Sequence, residues 1–133
     1  MQMRSSDSVT VTFLDRDLVL QQLERCAALL KQSSDKVRRM ILFGSLTKDT
    51  YGPGSDADLL ILLSSDHRRP IDRIPEYLKA FSTVQIGVDV FPLTEAELQR
   101  SLERGNAFLR EALETGVELV DSKAPMREST AVA

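Results

Sequence analysis

The chain has 133 residues, 42% hydrophobic and 28% charged, with a net charge of −3 from 17 basic and 20 acidic side chains. That is the size of one domain with a real core, and the charge balance excludes the basic excess of a broad nucleic-acid binder. The single cysteine excludes an intrachain disulfide, and no apolar run approaches the roughly 20 residues of a membrane helix, so a cytoplasmic protein is expected.

Residues 1–8 are polar and read as a flexible terminus without an apolar signal core. Val9 to Phe13 alternates apolar residues with threonine and suggests a short edge strand. Asp15 is a plausible N-cap, and Val19, Leu23, Cys26, Ala27 and Leu30 then recur at helical spacing to about Gln32. Cys26 lies on that apolar face, where a buried inert thiol outweighs a nucleophile. Ser33 to Lys36 is a turn, and Val37 to Phe43 is the first core strand. Leu46 to Thr50 reads as a short helix and Tyr51 to Ser55 as a loop rich in breakers. Ala57 to Leu63 is apolar on both faces after Asp58, which marks a central strand covered on both sides.

Ser64 to Pro70 is a loop with the only histidine, His67, read as solvated because no partner stands at metal-ligand spacing. Arg38-Arg39 and Arg68-Arg69 are the candidates for a local basic patch, with solvated arginines favoured. Ile71 to Phe81 is expected to be helical, starting at Pro75 if that proline takes the first turn. Val84 to Phe91 is expected as the third core strand, ended by Pro92. Ile86, Val88 and Val90 face one way, and Gly87, Asp89 and Phe91 the other. Thr94 and Glu97 form a capping box for a helix carrying Leu98 and Leu102 inward. A last helix, Ala107 to Thr115, turns Phe108, Leu109, Ala112 and Leu113 inward and is capped by Gly116. Val117 to Val120 is a candidate final strand. Residues 122–133 read as a second flexible terminus, leaving one domain over 9–121.

The chemistry concentrates between Met40 and Leu63. Asp56 and Asp58 stand at the entrance to the second strand, two residues apart and therefore on one face. Two carboxylates held that close repel unless a cation lies between them, and Mg²⁺ prefers hard oxygen ligands and substrate phosphates. At the end of the first strand, Gly44 lets the backbone approach a ligand, and Ser45 offers a hydroxyl to a phosphate oxygen. The bland alternative is ordinary turn chemistry at both places. Asp89, in mid-strand, is either hydrogen-bonded or a metal ligand, and the presence of the other two aspartates favours ligation.

Strand, Gly44-Ser45, a gap of residues 46–55, Asp56-Ala57-Asp58 and a second apolar strand resemble the minimal nucleotidyltransferases of the DNA polymerase β-like superfamily. The resemblance covers nearly all of residues 9–121. It implies an α/β (α+β) nucleotidyltransferase fold, a small mixed sheet flanked by helices. It implies that Asp56 and Asp58 bridge two Mg²⁺ ions, that Asp89 binds the catalytic one and takes the acceptor's proton, and that Gly44 and Ser45 hold phosphates of ATP, aided by Lys48 and Ser55. Relatives often carry arginine soon after Gly-Ser. Here the run is Leu46-Thr47-Lys48, so Lys48 keeps a charge without the bidentate fork of arginine.

Larger relatives add a helical domain that grips base and acceptor. The resemblance therefore points to a second chain completing the site, either another copy in a homo-oligomer or a small helical HEPN-type toxin that this protein, as antitoxin, adenylylates. The competing reading is a weak or inactive module that neutralises its partner by binding alone.

Overall fold

The computed structural model of the chain describes residues 15–44 and 56–119. The elements are α1 (Arg16–Ser33), β1 (Val37–Phe43), β2 (Ala57–Leu63), α2 (Pro70–Lys79), β3 (Val88–Thr94), α3 (Glu95–Glu103), α4 (Ala107–Thr115) and β4 (Val117–Glu118). The expected Val9–Phe13 strand, the Leu46–Thr50 helix and both termini lie outside the described residues.

The four strands form one mixed sheet in the order β3-β2-β1-β4. β1 pairs antiparallel with β2 and with β4, while β2 and β3 are parallel, joined by α2. Six of the seven β2 residues are buried, the half-buried one being Asp58. The even and odd positions of β2 serve two separate cores, as the pleat requires. Ala57, Leu59, Ile61 and Leu63 pack with Val19, Leu23 and Leu30 of α1 and Tyr77 of α2. Leu60 and Leu62 pack with Leu98 of α3 and Leu109 and Ala112 of α4. The fold is therefore α+β in three layers, with two helices on each side of the sheet. Among the described residues no helix is long and apolar enough to cross a membrane.

The local rules account for the helix starts. Asp15 caps α1 by accepting from the Leu18 amide at 3.1 Å, and Asn106 caps α4 by accepting from Leu109. Thr94 and Glu97 make the reciprocal capping box at α3. Cys26 is buried in the α1 core, its sulfur 3.4 Å from the Thr83 hydroxyl, and His67 is exposed.

Several boundaries differ from the sequence reading, with α2 ending at Lys79 instead of Phe81 and β4 covering Val117–Glu118 instead of Val117–Val120. α2 begins at Pro70, so Pro75 lies inside the helix instead of opening it. Pro75 has no N–H to give the carbonyl of Ile71 four residues earlier, and Ile71 is exposed. β3 runs over Val88–Thr94, not Val84–Phe91. Residues 81–87 form turns tied to α1, with the Gln85 amide donating to the Gln22 side chain. Pro92 is paired opposite Ile61 inside the strand and does not end it, because among the described residues β3 is an edge strand, and a missing N–H on its open side costs no ladder bond.

A buried charge cluster locks the far end of the sheet. The Arg73 side chain is 1% exposed and its guanidinium donates to both carboxylate oxygens of Glu97, at 2.7 and 2.9 Å. It also donates to the carbonyls of Pro92 and Asp66 at 3.0 Å, and to that of Arg68. Arg68 in turn forks onto Asp66 and reaches Glu76, and Arg69 pairs with Asp72. The Arg68-Arg69 pair is thus neutralised within the fold, as Arg39 is by Glu118.

The Arg68 hydrogen bonds hold the Asp66 carboxyl well below the usual range, and those from Arg73 lower that of Glu97. A carboxyl depressed on folding adds stability above its unfolded pKa, and that stability is lost as pH falls through the folded value. The melting temperature is therefore expected to hold down to about pH 4 and then fall, the ordinary carboxylate range marking the onset. Thermal melts of Asp66→Asn should show a lower plateau and a shallower acid limb.

Candidate active site

The site is built where three strand ends meet. β1 ends at Phe43, the register partner of Asp58 near the start of β2. On the other side of β2, Asp58 is the register partner of Asp89, one residue into β3. Asp56 precedes β2 by one residue. The pleat puts Asp56 and Asp58 on the side of Leu60 and Leu62, and Asp89 on the side of Phe91 and Leu93, which is the same α3–α4 face of the sheet.

Two glycines make room for the carboxylates. Gly44 adopts φ 91°, and a Cβ there would collide with Asp58 Oδ2 and lie 3.3 Å from its Cγ. The left-handed bend and the missing side chain together let the chain turn directly over the carboxylate. Gly87 precedes β3, and its carbonyl accepts from the Ala57 amide at 2.9 Å. A Cβ on Gly87 would stand 2.7 Å from Asp56 Oδ1. Gly87→Ala is therefore expected to swing the Asp56 carboxylate aside at little cost in stability, because no unusual φ is involved there. Misplacement of a reacting group by about 1 Å can cost on the order of 100-fold. Transfer should fall roughly ten- to a hundredfold while a thermal melt stays nearly unchanged.

Asp56 and Asp89 are exposed and Asp58 is half-buried. Burial raises the Asp58 pKa first, followed by the negative charges of Asp89 and Asp56. The three carboxylates thus occupy one electrostatic neighbourhood. Among the described residues, however, no three His, Cys, Asp or Glu side chains converge into a metal-binding cluster. The donor set itself fits Mg²⁺, being hard carboxylate oxygen with an excess of negative charge that a cation would relieve.

A cleft of about 150 Å³ opens beside Asp58, lined by Phe43 and Gly44 from the sheet and by Phe108, Glu111, Ala112 and Thr115 from α4. Phe108 was expected inward with Leu109 and Ala112, yet it is 53% exposed and lines this cleft. The helix turns its buried stripe through Leu109 and Ala112, one position out of phase with Phe108. Ser45, Lys48 and Ser55, the other predicted ligand-binding residues, lie outside the described residues. Sequence reasoning missed Gly87 as a spacer, though a glycine in an apolar strand-like run is the usual sign of a close approach.

The model of the nucleotidyltransferase domain family matches residues 22–118, well over half the chain and spanning all three aspartates. The chain belongs to that family. A Sulfolobus solfataricus protein described as a candidate nucleotidyltransferase shares the fold at a TM-score of 0.52 and 22% identity, over 64% of this chain and 75% of that one. A chain from a mutant form of the toxin–antitoxin MntA–HpeT aligns at a TM-score of 0.49 and 18% identity, over 83% of this chain and 75% of that one. No curated protein matches the chain. The mixed sheet with helices on both faces is thus the nucleotidyltransferase fold, and the family is one of transferases.

Proposed function

We propose that this nucleotidyltransferase transfers AMP from ATP to a hydroxyl of a partner protein, in the setting of a toxin–antitoxin pair whose toxin is a small helical HEPN-type protein. The observation that carries the transfer reading is the register of Asp58 with Asp89, with Asp56 alongside, under the Gly44 bend. The exposure of Asp56 and Asp89 supports an acceptor as large as a protein, since both are open to solvent. The toxin–antitoxin setting rests on the sequence resemblance to minimal nucleotidyltransferases.

In this reading the acceptor oxygen attacks the α-phosphorus of ATP, the bond to the bridging oxygen breaks and pyrophosphate leaves. Asp89, exposed at the strand end, takes the acceptor's proton. Asp56 and Asp58 would hold Mg²⁺ with Asp89, and the ion, when bound, supplies charge neutralisation for the phosphates. Gly44 allows the phosphates to approach the backbone with no side chain in the way. Phosphoryl chemistry asks for little beyond such placement and electrostatics.

The test is incubation of the full chain with labelled ATP, Mg²⁺ and the product of the neighbouring gene, repeated with Asp56→Ala. Label on the partner that requires Asp56 supports transfer. A tight complex without label would mean neutralisation by binding, a reading favoured by the unclustered carboxylates.

A further inference from the structure

The α4 side of the cleft has a feature that core packing does not explain. Phe108 is the one exposed phenyl ring among the described residues, while Leu109 and Ala112 already supply that helix's contact with the sheet. The ring is nevertheless held firmly from behind. It packs edge-on against Phe43 with centroids 5.4 Å apart, and tilted against Phe91 at 5.5 Å; Phe43 and Phe91 are themselves 5.7 Å apart. A ring braced by two others, with its outer side open to a cleft, is a preorganised stacking surface.

The spacing of Phe108, Glu111, Ala112 and Thr115 at i, i+3, i+4 and i+7 places all four on the cleft side of α4. That wall presents an exposed apolar ring, which suits a neutral flat group. The opposite wall carries the Gly44 bend, where a phosphate can approach backbone. The small residues Ala112 and Gly44 leave the floor open between the walls. We propose that the α4 wall is the nucleobase subsite of this protein, with Phe108 as the stacking face and the phosphates directed toward Gly44 and Asp58. This assignment rests on the nucleotidyl-transfer reading above and adds which wall of the cleft takes which end of the nucleotide.

The test is calorimetric titration of the full chain with ATP and, separately, with inorganic triphosphate, both with Mg²⁺. The proteins compared are wild type, Phe108→Ala, Phe108→Leu and Phe108→Tyr. Leucine keeps the packing on Phe43 and Phe91 without a π face, and tyrosine keeps the ring, so the comparison stands even if alanine unfolds the helix. Stacking predicts that alanine and leucine weaken ATP about tenfold, that tyrosine stays near wild type and that triphosphate affinity is unchanged throughout. ATP affinity unaffected by alanine and leucine overturns the assignment and leaves Phe108 to an acceptor ring or to none. Equal loss for ATP and triphosphate overturns it too, since the ring would then shape the phosphate site. If wild type binds both ligands equally well, the base subsite falls while the transfer reading stands. If it binds neither, both fall.

Discussion

Asp58→Asn is expected to abolish nucleotidyl transfer and to raise the melting temperature of the protein at neutral pH. Both effects have one cause. Asp58 is the half-buried position in an otherwise buried strand, with Asp89 opposite and Asp56 two residues away. Its carboxyl is pushed upward by burial first and then by those two negative charges. A carboxyl whose pKa rises on folding binds its proton more tightly in the native state. Above that pKa the ionised form therefore destabilises the fold, and the penalty disappears as pH falls through it. Asparagine keeps the shape and removes the charge. Its stabilising effect should be largest at pH 7–8 and should vanish in the acid range where Asp58 itself protonates. Activity moves the other way. The variant loses a carboxylate that would hold the Mg²⁺ facing the phosphates, and loss of one such electrostatic contribution costs on the order of 10²–10³-fold. Added Mg²⁺ and ATP should raise the wild-type melting temperature by mass action and leave that of the variant nearly fixed. A variant that melts lower than wild type at pH 8 would show that the carboxylate holds the fold together, and the active-site assignment would lose its physical basis.

The parts of the molecule that were legible in sequence share a simple property. β1 and β2 fall at their expected residues because each carries an unbroken apolar run, Met40–Phe43 and Leu59–Leu63, and Asp56 and Asp58 break the pattern at the edge of the second. The α3 capping box is a local reciprocal bond, so residues three apart suffice to see it. What could not be read depends on partners distant in sequence. Val84 was placed in a strand on its apolarity and is indeed buried, but in a turn fastened to α1. Pro92 is a breaker only in a strand paired on both sides, and edge position is a property of the sheet. Phe108 sits next to Leu109, and one residue of helical phase separates a core position from a cleft wall. The proximity of Asp89 to Asp58 is implied in sequence only by the family resemblance; its physical origin is the parallel pairing of β2 with β3, which follows from α2 acting as a crossover helix. Arg73 gave no signal at all. On α2 it stands among Asp72, Ile74 and Glu76 as an ordinary surface charge would.

That arginine carries the second large expectation. Arg73→Met should cost about 3–5 kcal/mol, the usual penalty for removing one partner of a buried ion pair. The substitution leaves Glu97 without its bidentate donor and the carbonyls of Asp66, Arg68 and Pro92 without theirs. Those acceptors belong to the loop after β2, the edge strand β3 and the first turn of α3, so one guanidinium ties together segments that apolar packing joins only in part. For a domain of this size the loss corresponds to a fall in melting temperature of about 10 °C or more. Arg73→Lys should recover little of it, because an ammonium offers three donors from a point where the fork offers five along a plane. Removing the opposing charge as well tests the assignment directly. If the penalty comes from a stranded carboxylate, adding Glu97→Gln to Arg73→Met should cost clearly less than the sum of the two single changes, a coupling of order 1 kcal/mol or more. Additive losses would mean that the arginine acts through its carbonyl contacts alone. The catalytic end should be spared in either case. Leu63 lies five residues beyond Asp58, about 16 Å along the strand, and the guanidinium cluster lies beyond it. Measured well below its melting point, Arg73→Met should therefore keep near-wild-type transfer, separating the groups that hold this sheet together from those that give its other end a reaction to perform.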